Sequence, residues 1–198
     1  MFYFYYITSI LPASIDQDFA PMKKQLFAIF AILFLQMPLA AHAEGFQAVG
    51  TADVYFSPCG GATAAVVSEI GAAKNEILVQ AYSFTSSSIA KALVDANKRG
   101  VKVVAVLDKS QRREKYTAAD FLAHAGIPTY IDAIHAIAHN KIIIIDRITL
   151  LTGSFNFTKA AEEKNAENLL ILKGNKPLAA CYIQNFAVNS HSDDFSVM

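Results

Sequence analysis

The sequence predicts an α/β sandwich built on a mixed β-sheet, and three observations carry that expectation. Short apolar runs rich in Val, Ile and Leu recur through residues 46–188, each too short for a helix. Segments of about ten residues with helical patterning separate them, the alternation that lays helices over a sheet. Several runs, such as EILVQAY at 76–82 and IIII at 142–145, are apolar almost without interruption, as in strands covered on both faces.

Taken in order, residues 46–56 read as the first strand, with Val54, Phe56 and their neighbours alternating. Ser57-Pro58-Cys59-Gly60-Gly61 is a turn. Residues 62–73 form a helix of small residues with Val66, Val67 and Ile70 on one face. Strand 76–82 follows. Ser86-Ser87-Ser88 caps the helix 89–99, and Gly100 ends it. The third strand is 101–107, with Asp108 at its end. A helix at 118–125 stops at Gly126, and 128–131 is a short strand. Strands 142–145 and 148–152 flank a turn at Asp146 and Arg147. A strand at 167–172 and a closing helix at 176–188 complete the fold; the polar tail from Asn189 is expected to fray.

The first 43 residues read differently. Met22-Lys23-Lys24, an apolar stretch at 26–39 and Ala41-His42-Ala43 are the three parts of a secretory signal peptide. Cleavage is expected after Ala43, leaving residues 44–198 as the working domain in the periplasm or outside the cell. As a membrane anchor the apolar stretch is short, since a span needs about 20 residues. A signal peptide normally opens a chain, so residues 1–21 read as an upstream start-site artefact with translation beginning at Met22. The mature part, once released, can bury roughly 68–70% of its unfolded surface. Its two cysteines, Cys59 and Cys181, leave a disulfide open in an oxidising compartment.

The chemistry concentrates in HNKIIIIDRITLLTGSFNF, from His139 to Phe157. The pattern is H-x-K-x₄-D-x₆-G-S-x-N. Side chains alternate along a strand, so His139 and Lys141 share a face, and Ser154 and Asn156 share one beyond the second strand. If the two strands pair, an imidazole, an ammonium, a hydroxyl and a carboxamide converge. That set suits a phosphodiester. Lys141 brings a point charge for phosphate oxygens, and Ser154 and Asn156 bring neutral donors. A neutral His139 can attack phosphorus and split one hard step into two. No carboxylate or cysteine cluster with metal-ligand spacing lies nearby, so no metal and no cofactor is expected.

At these residues the chain resembles the phospholipase D superfamily and its HKD motif. It looks most like the single-motif, secreted bacterial endonuclease branch, over roughly residues 46–188. The resemblance implies a phospholipase D-like mixed sheet between helices and a homodimer with one motif per chain. It also places an acidic residue where Glu167 stands, in NAEN after GSxN. Accepting from the His139 ring, that carboxylate would set the tautomer. Asp146 and Gly153 read as structural members of the motif, Asp146 holding its loop by hydrogen bonds.

One imidazole cannot be nucleophile and acid in the same step, so a second histidine must protonate the leaving oxygen. His124 on a helix, His135 in a loop and His191 in the tail lack a matching Lys and Asn. The simplest donor is His139 of a symmetry mate. Lys159 and Lys164 read as a solvated helix face and Ser83 as a turn residue. Nucleic acid is the first expected substrate, and a phospholipid such as a phosphatidyl lipid or cardiolipin the alternative. Lys109, Arg112, Arg113 and Lys115 form a local basic cluster for the first. The formal net charge of zero does not favour nucleic acid, and the apolar residues Phe155, Phe157 and 134–138 keep the lipid reading open.

Overall fold

A computed structural model describes residues 50–112, 117–190 and 196–197, together with Gly45 and Gln47. The start-site segment 1–21, the signal peptide 22–43, Arg113, Lys115 and His191 lie outside the described residues. The described elements run β1 (Thr51–Ser57), α1 (Ala62–Ala72), β2 (Glu76–Ala81), α2 (Ser87–Lys98) and β3 (Lys102–Asp108). A 3₁₀ turn at Lys109–Arg112 follows, then α3 (Ala118–His124), β4 (Thr129–Asp132), β5 (Lys141–Ile145), β6 (Thr149–Gly153), α4 (Lys159–Glu163), β7 (Glu167–Lys173), α5 (Lys176–Ser190) and β8 (Ser196–Val197).

These strands form one mixed sheet in the order β1-β7-β6-β5-β2-β3-β4-β8. β2, β3 and β4 are parallel, and each remaining neighbour is antiparallel. Alternation divides β5 between two cores. Ile143 and Ile145 join the larger one, with Val66, Ile70, Leu93 and Leu122 of α1, α2 and α3. Ile142 and Ile144 face the other way, against Phe186 and Tyr182 of α5. The uninterrupted isoleucine run is therefore required by burial on both faces.

Local chemistry explains most boundaries. Ser86 caps α2, its hydroxyl accepting from the Ile89 N–H at 3.4 Å. Thr158 caps α4 in the same way, at 3.1 Å from the Ala161 N–H. Asp146 and Arg147 both take positive φ, 50° and 60°, as a tight two-residue hairpin turn demands. Residues 46, 48 and 49 of the expected first strand lie outside the described residues; β1 starts at Thr51, just after Gly50, whose φ of +87° and close approach to the Lys173 carbonyl leave no room for a Cβ. The side chains alternate as expected: Val54 and Phe56 face outward, 54% and 65% exposed, and Tyr55 packs on the larger core. β1 is an edge strand, so alternation alone did not say which side the helices cover.

This topology sends one set of strand ends to the same side. The C-terminal ends of β1, β2, β3, β4 and β6 meet the N-terminal starts of β5 and β7. In open α/β sheets that side, the carboxyl end of the parallel strands, is where ligands bind.

Candidate active site

Lys141 opens β5 opposite Ala81, the last residue of β2. The Tyr82 N–H donates to the Asn140 carbonyl at 2.8 Å, and Asn140 Nδ2 donates to Gln80 Oε1 at 3.3 Å. These bonds lock the start of β5 to the end of β2. Tyr82 then touches both motif side chains. The His139 ring lies 4.5 Å from the Tyr82 ring, tilted by 51°. Lys141 Nζ stands 5.1 Å above the centre of that ring, within cation–π range.

His139 is exposed and Lys141 is buried, with 6% of its surface accessible. The ammonium donates to the His139 carbonyl at 2.8 Å. Burial pushes the Lys141 amine below its ordinary value, and the nearby Glu167 charge partly offsets this. A desolvated ammonium with one protein acceptor is prepared to bind an anion. His139, Asn140, Lys141, Gly153, Ile137, Tyr182 and Cys181 are among the lining residues of an open cleft of about 730 Å³. Both cysteine thiols are free.

The GSxN arm is fixed from β7. Gly153 has φ +149°, and a Cβ there would fall 2.3 Å from the Asn168 carbonyl oxygen. Only glycine lets β6 approach β7 this closely. The Ser154 and Phe155 N–H groups both donate to that carbonyl at 3.1 Å. Ser154 Oγ accepts from the Asn168 N–H at 3.0 Å, leaving the hydroxyl proton to donate. Phe155 and Phe157, the neighbours of Asn156 in the chain, are each 1% exposed. The expected apolar rim is thus only partly there. These two phenylalanines are core, while Ile134 and Ile137 remain 51% and 59% exposed.

The motif Asp146 stands at the other end of β5. Its carboxylate accepts from the Lys74, Asn75 and Glu76 N–H groups at 2.9, 2.7 and 3.0 Å. It ties the hairpin turn to the loop before β2, the structural part read from the sequence. Glu167 differs from expectation in its partner. Its Oε1 accepts from Asn165 Nδ2 at 3.2 Å, and it feels Lys141 electrostatically, but it makes no hydrogen bond to His139. The flexible carboxylate takes the amide two residues away, which costs little ordering.

Two further carboxylates hold the loop ahead of His139, and local pattern did not reveal them. Asp108 accepts from the Ala138 N–H at 2.7 Å. Asp132 accepts from the Ile134 and His135 N–H groups, each at 3.1 Å, and pairs with His135 Nδ1 at 2.7 Å. His124 Nδ1 sits 2.7 Å from the Asp120 carbonyl, on the surface of α3. Each of these two rings therefore has a partner away from the cleft. Lys159 is exposed on α4, and Lys164 is exposed just past its end. Among the described residues no group of three or more His, Cys, Asp or Glu is placed to hold a metal ion.

Comparison with known proteins agrees with this geometry. A family model described as Cardiolipin synthase, PLD-like domain, matches residues 66–189. A Rickettsia felis protein named Phospholipase D is 44% identical over 131 residues, 66% of this chain and 65% of that protein. A mitochondrial cardiolipin hydrolase of Chlamydomonas reinhardtii is 32% identical over 117 residues, 59% of this chain and 52% of that one. The chain thus spans just under two thirds of the first relative's length and about half of the second's. The crystal structure of Nuc from Salmonella typhimurium, a phospholipase D family member, superposes with a TM-score of 0.72 at 39% identity, over 76% of this chain and 100% of that one. With a matching family model, a like fold and the H-x-K and GSxN arms at one end of the sheet, the chain belongs to the phospholipase D superfamily.

Proposed function

We propose that this protein is a metal-independent phosphodiesterase that works through a phosphohistidine, in a site shared by two copies of the chain. The observation that carries the reading is the grouping of His139 and Lys141, both lining the cleft and both in contact with the Tyr82 ring. His139 attacks phosphorus, a P–N bond forms, and the P–O bond to the leaving group breaks. The second copy's His139 gives that oxygen its proton. Water, deprotonated by the same second imidazole, then cleaves the P–N bond and frees the first. Lys141 and the Ser154 and Asn156 donors hold the phosphate oxygens as charge builds. Glu167, turned from Asn165 toward His139, sets the ring's tautomer.

Nucleic acid is the substrate we favour, on the resemblance to the single-motif endonuclease branch and on the exposed Lys109 and Arg112 just past the end of β3. Such cations suit a polyanion that continues beyond the scissile bond. A phospholipid is the second reading, supported by the exposed Ile134 and Ile137 beside His139. Plasmid DNA and phosphatidyl vesicles offered side by side, with EDTA, separate the two. Cutting of DNA with EDTA present is expected. Loss of all activity in EDTA would refute the metal-free mechanism, and turnover of vesicles alone would transfer the assignment to lipid. Labelled phosphate on His139 that is released in acid but retained in base is the expected signature of the intermediate. An active particle of single-chain mass in sedimentation would refute the shared site. Export belongs to the same proposal, supported by the signal-like segment; mature protein starting at Glu44 is its expected signature.

A further inference from the structure

Two buried side-chain polar atoms among the described residues have no hydrogen-bond partner, Asn156 Oδ1 and Ser57 Oγ. The first belongs to the motif. The second does not. Ser57 ends β1, is 8% exposed, and lies directly opposite Glu167 in the β1–β7 register. Directly opposed residues share a face and hold their Cβ atoms about 4.5–5.5 Å apart. That spacing is right for a serine hydroxyl to reach a glutamate carboxylate across the ladder. The Glu167 carboxylate instead rests on Asn165 Nδ2, which leaves the hydroxyl without an acceptor. A buried orphan hydroxyl destabilises the fold. It makes physical sense at this position if it is satisfied in another state of the site.

We propose that Ser57 is a positioning residue for Glu167. When the carboxylate leaves Asn165 and accepts from the His139 ring, the Ser57 hydroxyl donates to its other oxygen. The two donors hold the carboxylate ionised and oriented, and the ring is held with its attacking nitrogen toward phosphorus. This inference rests on the phosphohistidine reading and on the part given there to Glu167.

Ser57→Ala, Ser57→Thr, Glu167→Gln and the Ser57→Ala/Glu167→Gln pair, assayed with bis(p-nitrophenyl) phosphate and by thermal unfolding, test it. Ser57→Ala is expected to lower kcat about tenfold, the worth of one hydrogen bond to a charged group. Its melting temperature should be unchanged or higher, because an orphan hydroxyl is removed. Ser57→Thr, which keeps the hydroxyl, should restore most of the rate. In the Glu167→Gln background, Ser57→Ala should cost nothing further. Equal losses in both backgrounds, or a lower melting temperature with the loss of rate, would overturn the inference as a packing effect. Full activity in Ser57→Ala beside a damaged Glu167→Gln would overturn it and leave the Glu167 reading standing. Full activity in Glu167→Gln would remove both.

Discussion

Asp146→Asn separates the structural letter of the motif from the chemical ones. The carboxylate holds three backbone N–H groups, at 2.7 to 3.0 Å. An amide in its place sets an –NH₂ against at least one of those donors. The Glu76 bond is partly buried and is counted at about 1.5 kcal/mol as a bond to a charge. The other two lie at the surface, where water competes, and are counted at about 0.5 kcal/mol each. The total is about 2–3 kcal/mol, which lowers the melting temperature by about 5–10 °C in a domain of this size. The loss also has a pH signature. Burial raises the Asp146 carboxyl, but the three N–H groups outweigh it and hold it below the ordinary range. Its contribution is therefore complete above the unfolded value of about 3.9 and drains away as pH falls through the lower folded value. Urea midpoints should show a constant gap from the wild type between about pH 5 and 8, closing below about pH 4. Five steps along β5 place Asp146 about 17 Å from Lys141, so kcat at a permissive temperature should change less than about twofold. An undiminished melting temperature with lost turnover would refute this division of roles.

Other substitutions test the site itself. Lys141→Ala should cut kcat/KM by about 10²–10³, the usual cost of losing a preorganised charge donor. Because burial lowers the Lys141 amine and Glu167 partly restores it, activity should fall on the alkaline side below pH about 10.4. Glu167→Gln should move that limb to still lower pH, as a pH–rate profile will show. Tyr82→Leu should slow turnover by about 3- to 30-fold through loss of the cation–π plate, with Tyr82→Phe nearly normal. Gly153→Ala should destabilise by about 3 kcal/mol or prevent folding, since its Cβ meets the Asn168 backbone carbonyl, which cannot swing aside as the nearby Asn168 side chain can; a normal denaturation curve would contradict the close approach of β6 and β7.

What the sequence disclosed was local. The Ser86 cap, the turn at Asp146 and Arg147 and the shared face of His139 and Lys141 depend on residues within a few positions of one another. Partners from elsewhere in the chain were not legible. Nothing near AYSFT says that β5 will run antiparallel to β2 and bring Tyr82 beneath His139. NAEN marks Glu167 but not Asn168, whose carbonyl and N–H hold the GSxN arm. Hydrophobicity could not distinguish Phe155 and Phe157, which are core, from Ile134 and Ile137, which are surface. Nor could it choose the buried face of β1, because an edge strand lies at the limit of the helical layers.

The ring beneath His139 also makes that residue spectroscopically distinct. An aromatic ring current displaces the resonances of protons close to it, and Tyr82 lies 4.5 Å from this imidazole. Of five histidines in the chain, His139 should thus give a displaced signal that reports one ring alone. In a two-fold assembly carrying phosphate on one side only, that single line should become a pair.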